Sequence, residues 1–204
     1  MRNNAILAAV TLALCLAASP GLAQTPKSID PAAAPAGHYE LDPSHASVLA
    51  KVSHMGLSSY TMRFDTVAGR FDYDPAQPTA SQVSVVIDAN SLDVGDVGIG
   101  HKFAREFLGA DKFPQITFVS TAIQETDATH GVVTGDLTLN GVTRPVALAV
   151  TFNGSGPGLM GFGGYRMGFS AATDVKRSDF GSKAWQGVVG DAVHLVIEAE
   201  FSRK

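Results

Sequence analysis

The sequence contains a single cysteine, Cys15, and it falls within the one long apolar run of the chain. That run, from Ala5 to Ala18, follows the positive start Met1-Arg2 and precedes small residues at Gly21 and Ala23. This order is typical of a signal peptide that is cleaved after Ala23, and the run is too short for a retained membrane span. We therefore predict that residues 1–23 are removed and that the mature chain has neither a disulfide nor a reactive thiol.

The chain also lacks a cluster of basic residues. It has 15 Lys and Arg against 19 Asp and Glu, and removal of the predicted signal peptide takes away one more positive charge, Arg2. A mildly acidic protein without a basic run is a poor candidate for binding nucleic acid or an anionic membrane surface. Residues 24–37, "QTPKSIDPAAAPAG", are rich in Pro and Ala and predict a flexible linker. Residues 38–204 are enough for one well-buried domain.

Sequence patterns of catalysis and metal binding are absent. The six histidines form neither an H-x-x-x-H nor an H-E-x-x-H pattern, and no G-x-S-x-G occurs. The glycine-rich stretch "GSGPGLMGFGGYR" joins two predicted strands rather than opening a helix, so we expect a flexible loop at the rim of the fold instead of a phosphate loop. A site that combines His45, His54 and His101 is the remaining metal alternative. We predict no catalytic residue, no cofactor and no metal.

A two-residue apolar period dominates the chain from residue 38 onward and predicts eight or nine strands. Asn140-Gly141 between two such stretches is a strong hairpin signal. Since strands and long helices do not alternate, we expect an antiparallel sheet. Such a sheet has one apolar face and only one small helix to cover it, so we expect it to bury that face by closing into a barrel. The fold class is therefore predicted to be all-β, with a barrel of about eight strands.

The interior of this barrel is predicted to be apolar, and three strand glycines leave two interpretations open. At Gly69, Gly135 and Gly168 no side chain fills space, which would leave room for a hydrocarbon chain. Glycines at these positions are equally compatible with bulges or barrel corners.

One short stretch, starting at His101, has a helical period instead. Phe103 and Phe107 stand four residues apart with Leu108 beside them, and Gly109 predicts the end of the helix. A helix with such an apolar face could be a lid over an apolar cavity, a plug that fills one end of the barrel, or the scaffold of a catalytic His101.

Four segments together resemble the YceI-like family: "LDPSHASVLAKVSHMGLSSYTMRFDTVAGRFDYD", "HKFAREFLGADKFPQITF", "GDLTLNGVTRPVALAVTF" and "GFSAATDVKRSDFG". The resemblance runs from Gly37 to Phe201, with the motifs in the order of the family. It implies an extended, lipocalin-like antiparallel β-barrel with a short helical insert. It also implies a periplasmic protein that binds polyisoprenoid lipids, such as isoprenoid quinones or their precursors. The chain departs from the family at Gly98-Ile99-Gly100, where members often carry Arg-Asp shortly before the residue that matches His101.

This resemblance favours the lid or plug, with the helix facing the barrel and His101 anchoring the helix start. The expected function is binding, carriage or sequestration of an isoprenoid lipid by a non-enzyme. The alternatives are a quinone-handling enzyme or redox accessory and a ligand-free structural or stress protein with a filled barrel. Further partners to consider are a membrane, a membrane redox protein and a second copy of the chain. The residues predicted to contact the lipid are Phe103, Phe107, Leu108, Phe118, Leu137, Leu139, Leu148, Val150, Met167, Phe169 and Leu195.

Overall fold

The computed structural model describes residues 27–158 and 163–204. The predicted signal peptide and its cleavage site lie outside the described residues. Among those that are described, no helix has both the length and the hydropathy needed to cross a membrane. The helix α1 spans Val97–Leu108. The strands are β1 Gly37–His54, β2 Ser58–Phe64, β3 Val67–Tyr73, β4 Gln82–Asp88, β5 Leu92–Asp93, β6 Gln115–Glu125, β7 His130–Leu139, β8 Val142–Pro157, β9 Tyr165–Lys176 and β10 Val189–Arg203.

The strands close into an antiparallel barrel, because β10 pairs with β1 as well as with β9. Both β2 and β3 pair with β1, β2 opposite the second half of that strand and β3 opposite its start. They therefore share one position in the barrel, which has eight strand positions, and the two-residue β5 pairs with β2 outside it. Closure removes the free edges that an open sheet would expose. The predicted fold class, an all-β barrel of about eight strands with one helical insert, is confirmed.

The helix is longer than predicted and begins before His101. Asp96 caps its start by accepting a hydrogen bond from the backbone N–H of Ile99 at 2.9 Å. Its end was predicted correctly, since Gly109 adopts a left-handed φ of 61°. His101 is exposed in the second turn, so its expected role as the anchor of the helix start is wrong. The first turn was not predicted because its two glycines, Gly98 and Gly100, add no apolar side chain to the helical period. Gly100 is required by packing, since a Cβ there would lie 2.4 Å from the carbonyl oxygen of Leu92.

The predicted flexible linker is packed against the barrel over residues 27–37. Ser28 and Ser155 exchange two backbone hydrogen bonds of 2.7 and 2.8 Å. Ala34 is 1% exposed, and the hydroxyl of Tyr73 donates to the carbonyl oxygen of Pro31 at 2.8 Å. A Pro- and Ala-rich composition predicts flexibility because it has little periodic structure of its own. Here tyrosine hydroxyls and a neighbouring strand satisfy its backbone groups instead.

The glycine-rich stretch forms a shorter loop than predicted. β8 continues to Pro157, β9 begins at Tyr165, and the N–H of Gly158 donates to the carbonyl oxygen of Gly164 at 2.7 Å. Residues 159–162 lie outside the description.

Two of the strand glycines are better explained by close packing and bulges than by empty space. A Cβ at Gly135 would lie 2.5 Å from the ring of Phe118, so the absence of a side chain makes room for that ring. Gly168 pairs with Gly154 next to a register shift in β8.

The end of the barrel near the start of β1 is filled by aromatic side chains. Phe71 lies at its centre, with ring centroids 5.6 Å from Phe169 and 5.8 Å from Phe201. Tyr39 and Met167 are fully buried beside this aromatic cluster. The core is therefore densely packed at this end, while α1 covers the other.

Candidate ligand-binding cavity

A cavity of about 410 Å³ lies inside the barrel. Its volume falls within the range of small-molecule sites, roughly 300–1,000 Å³. Its wall consists mainly of the inward-facing apolar side chains of the strands, joined by side chains of α1. The alternation read from the sequence places these side chains correctly, since Val83, Val85 and Ile87 of β4 all line the cavity.

All eleven residues that were predicted to contact a lipid lie on the wall of this cavity. The two-residue period of the strands alone brings eight of them inward. They are Phe118, Leu137, Leu139, Leu148, Val150, Met167, Phe169 and Leu195 from the strands and Phe103, Phe107 and Leu108 from α1. That these side chains contact a lipid stays a prediction.

Several apolar side chains on the wall are only half-buried, although they point into the barrel. Leu148 and Val150 of β8 and Leu195 and Ile197 of β10 belong to this group. In a filled barrel, inward-facing leucines and valines would be fully buried, as Phe152 is at 7% exposure in the aromatic cluster. Their residual exposure shows that the barrel is not packed at this level.

The apolar face of α1 covers the end of the cavity opposite the aromatic cluster. The rings of Phe103 and Phe107 meet edge to face with centroids 5.3 Å apart. Phe103 also lies 5.9 Å from the ring of Tyr60 on β2. Since both phenylalanines line the cavity, the helix lies over a cavity at this point. Whether it opens as a lid stays a prediction.

A tryptophan that the sequence did not point to completes this end of the wall. Trp185 lies in the loop between Phe180 and β10, and its ring centroid is 6.2 Å from that of Phe103. Its indole N–H donates to Glu106 of α1 at 2.8 Å, and the ammonium of Lys102 is 5.1 Å from its ring. Glu106 is 79 residues away along the chain, so no local pattern could have revealed this contact.

A buried arginine holds the loop that carries Trp185. Arg177, in the "RSDFG" segment, is 7% exposed, and its guanidinium lies 5.7 Å from the ring of Phe107. Among the described residues it has no carboxylate within ion-pair distance, and backbone carbonyl dipoles stabilise its charge instead. The carbonyl oxygens that accept its hydrogen bonds belong to Ser182, Ala184, Val189 and Gly190.

The clearest shifts in carboxyl pKa occur in a bulge of β1 and in the exposed turn after β6, which borders the cavity at Asp127. The hydroxyl of Ser44 and the ring of His45 donate to Asp42 and hold its pKa well below the usual range. Arg166 lies 3.0 Å from the same carboxylate. In the exposed turn after β6, the backbone N–H of Thr129 contributes most to lowering the pKa of Asp127 to about 2. Both patterns are those of carboxylates that stabilise a turn.

The structure does not bring the three candidate metal-binding histidines together. His45 contacts Asp42 in a β1 bulge, His54 lies on the cavity wall at the end of β1, and His101 is exposed on α1. Across residues 27–158 and 163–204, no group of three or more His, Cys, Asp and Glu side chains could hold a metal ion.

Comparison with known proteins decides the family, since the model of the YceI-like domain matches residues 39–201. The chain belongs to the YceI-like family. Among curated relatives, a UPF0312 protein of Shewanella baltica is 40% identical over 177 residues, which cover 85% of this chain and 92% of the relative. A UPF0312 protein of Shewanella putrefaciens is 38% identical with the same coverage.

Solved structures of other proteins share this YceI-like fold. BcnA of Burkholderia cenocepacia superposes with a TM-score of 0.70 at 25% identity, covering 78% of this chain and 98% of BcnA. The YCEI protein of Campylobacter jejuni gives a TM-score of 0.66 at 27% identity, over 76% of this chain and 91% of that protein. A polyisoprenoid binding domain from Saccharophagus degradans shares the fold alone, with a TM-score of 0.59 at 16% identity, over 81% of this chain and 98% of that domain.

Proposed function

We propose that this YceI-like protein binds an isoprenoid lipid inside its barrel and carries or sequesters it in the periplasm. The observation that supports this most directly is the apolar cavity, whose inward-facing leucines and valines are left half-buried. The fold shared with a polyisoprenoid binding domain from Saccharophagus degradans agrees with an isoprenoid ligand. The predicted signal peptide at residues 1–23 is the basis for the periplasmic location.

The apolar wall can account for useful affinity without a strong polar contact. Each buried methylene contributes roughly 0.8 kcal/mol, so two or three five-carbon prenyl units give a gross gain of about 8 to 12 kcal/mol. Part of this gain offsets the entropy lost when a flexible chain is immobilised. Micromolar or better affinity is the expected outcome. Selectivity should then follow chain length more than the headgroup.

Binding is favoured over catalysis by where the polar groups lie. An enzyme acting on a quinone headgroup would need a cofactor or converging acid and base groups near the ligand. In the described part of the chain, Asp42 is held by its partners in a bulge of β1, and Asp127, which lies on the cavity wall, is held by Thr129 and His130 in the exposed turn after β6. Arg177 is occupied by backbone carbonyl oxygens. The filled-barrel alternative is disfavoured by the half-buried wall.

The decisive experiment is to identify what the purified protein carries. Protein purified from its own periplasm without detergent would be extracted with organic solvent and the extract analysed by mass spectrometry. We expect an isoprenoid lipid in near-stoichiometric amount. Absence of any lipid, together with no binding of an added isoprenoid quinone by the delipidated protein, would refute the proposed function.

A further inference from the structure

Four exposed apolar side chains lie together at the end of the barrel that carries α1. Met55 and Leu57, in the turn between β1 and β2, are 60% and 82% exposed. Trp185 and Val188, in the loop before β10, are 45% and 37% exposed. We call these four residues the apolar rim. Isolated apolar side chains are common on protein surfaces, but a group confined to two loops at one end of a cavity calls for an explanation.

The two loops of the apolar rim are joined directly to each other and to the cavity. The backbone N–H of Met55 donates to the carbonyl oxygen of Val188 at 2.7 Å. His54, which precedes Met55, lines the cavity, and so does Trp185. The apolar rim therefore continues the cavity wall to the surface of the molecule.

The backbone presents two of these side chains in a conformation that bulky residues seldom adopt. Met55 has a φ of 54° and Trp185 a φ of 56°, both in the left-handed region. Such a conformation is unfavourable for a bulky side chain and persists only where the surroundings impose it, often at functional sites. Each loop also contains a glycine with a left-handed φ and open space around it, Gly56 and Gly187. Both turns therefore accept small residues, yet they carry bulky apolar side chains at Met55 and Trp185.

We propose that the apolar rim inserts into the surface of a lipid bilayer, so that the cavity exchanges its ligand through the end covered by α1. This inference rests on the proposed function, because a carrier must take up its lipid from a membrane. The four side chains expose on the order of 300–400 Å², far below the roughly 800 Å² per partner of a stable protein interface. Shallow insertion needs no larger area, and tryptophan is enriched at membrane–water interfaces.

The charges around the apolar rim indicate what kind of bilayer it would enter. Lys102 and Lys183 are exposed near Trp185, and the acidic side chains Glu106 and Asp191 flank the same loops. Because both signs are present, attraction to anionic lipids should contribute little. Insertion should therefore occur on vesicles of phosphatidylcholine alone and should persist when salt is added.

Trp185 makes this inference directly testable, because it is the only tryptophan of the chain. Its emission would be recorded as the protein is titrated with phosphatidylcholine vesicles, some containing brominated acyl chains. We expect a blue shift and quenching by the brominated lipid. The double variant Met55→Asn/Leu57→Gln should need about tenfold or more lipid for the same shift, and asparagine tolerates the left-handed backbone at that position.

The matched control is Ile29→Gln. Ile29 is 66% exposed but lies beside the Ser28–Ser155 bridge at the opposite end of the barrel, so this change should leave vesicle binding unaltered. The inference is overturned if wild-type protein shows neither shift nor quenching, or if Ile29→Gln weakens binding as much as the double variant. It is also overturned if the emission shifts with protein concentration instead of with vesicles, which would make the apolar rim an interface between copies.

Solvent extraction of the same preparations separates this inference from the proposed function. The double variant should bind vesicles weakly while a lipid added directly in organic solvent still enters its cavity. If the wild-type protein carries lipid but does not bind vesicles, insertion of the apolar rim into a bilayer is refuted and the proposed function is left intact. Vesicle insertion by a protein that never holds a lipid would instead refute the proposed function.

Discussion

Replacing Leu148 with tryptophan would place a large ring into the cavity from the middle of β8. Leu148 faces the cavity and is half-buried, whereas the preceding residue, Ala147, is exposed on the outside of the same strand. The two substitutions Leu148→Trp and Ala147→Trp thus add the same side chain one residue apart, on opposite faces of the sheet. Ala89→Trp serves as a third variant, because Ala89 is fully buried in the hydrophobic core and does not line the cavity.

The expected effects on stability differ in sign. A tryptophan at position 148 would bury roughly 100 Å² more apolar surface than leucine, worth up to about 2.5 kcal/mol at 25 cal/mol per Å². Ordering the larger side chain offsets about 0.5–1 kcal/mol of this. The free protein should therefore be unchanged or stabilised by about 1–2 kcal/mol. By contrast, Ala89→Trp overpacks a filled region and should destabilise the protein by about 1–3 kcal/mol or more.

The effect on lipid binding is expected to be large for Leu148→Trp alone. If the ring displaces one five-carbon prenyl unit, the ligand loses up to about 4 kcal/mol of gross apolar contact. A loss of 1.4 kcal/mol is already tenfold in affinity, so most of the bound lipid should disappear. Ala147→Trp should retain lipid like the wild-type protein.

Urea denaturation of the delipidated proteins and mass spectrometry of their solvent extracts provide the two measurements. The reasoning about an open cavity is refuted if Leu148→Trp destabilises the protein as much as Ala89→Trp does, since that would mean the barrel is packed around Leu148. It is equally refuted if Leu148→Trp is stable and keeps a full complement of lipid.

Three further predictions address the helix, a turn and the N-terminus. Phe107→Asp should remove most bound lipid with only a modest fall in melting temperature, because the guanidinium of Arg177 is near enough to pair with the new carboxylate. The control Phe107→Leu should keep the lipid, and a collapsed melting temperature of Phe107→Asp would contradict a lid. Asp42→Asn should lower the free energy of unfolding by about 1–3 kcal/mol at pH 7. Folding lowers the pKa of Asp42, so its contribution to stability is complete above the unfolded pKa, about 3.9, and is lost as the pH falls from there through the lower folded pKa. Urea titrations at pH 7 and pH 3 should therefore show the difference between variant and wild type shrinking at the lower pH. Mature protein recovered from the periplasm should begin at Gln24, and N-terminal sequencing that finds Met1 would disprove cleavage.

Local periodicity was sufficient to predict the cavity wall. The alternation of Leu148 and Val150 with alanines, and of Leu195 and Ile197 with His194, Val196 and Glu198, is a property of neighbouring residues. It therefore determines which face each strand turns inward once the barrel closes. The hairpin at Asn140-Gly141 was predictable for the same reason, since both residues adopt the positive φ that such a turn requires.

The helix was predictable only in part. Its apolar face and its end at Gly109 follow from local spacing and from the left-handed backbone of a helix C-terminus. Its start at Asp96 was missed because Gly98 and Gly100 carry no helical signal. A glycine at position 100 is required by the carbonyl oxygen of Leu92, a contact that exists only after β5 and α1 have packed together.

The sequence by itself determined the strands and their inward faces, because both depend on the order of residues a few positions apart. The tertiary structure alone decided which barrel end is filled by Phe71 and its aromatic neighbours and which remains open beneath α1. It also decided that Trp185 meets Glu106 and Lys102, and that Arg177 binds carbonyl groups of the loop before β10. These contacts join segments far apart in the chain, so they depend on how the barrel closes and leave no local pattern in the sequence.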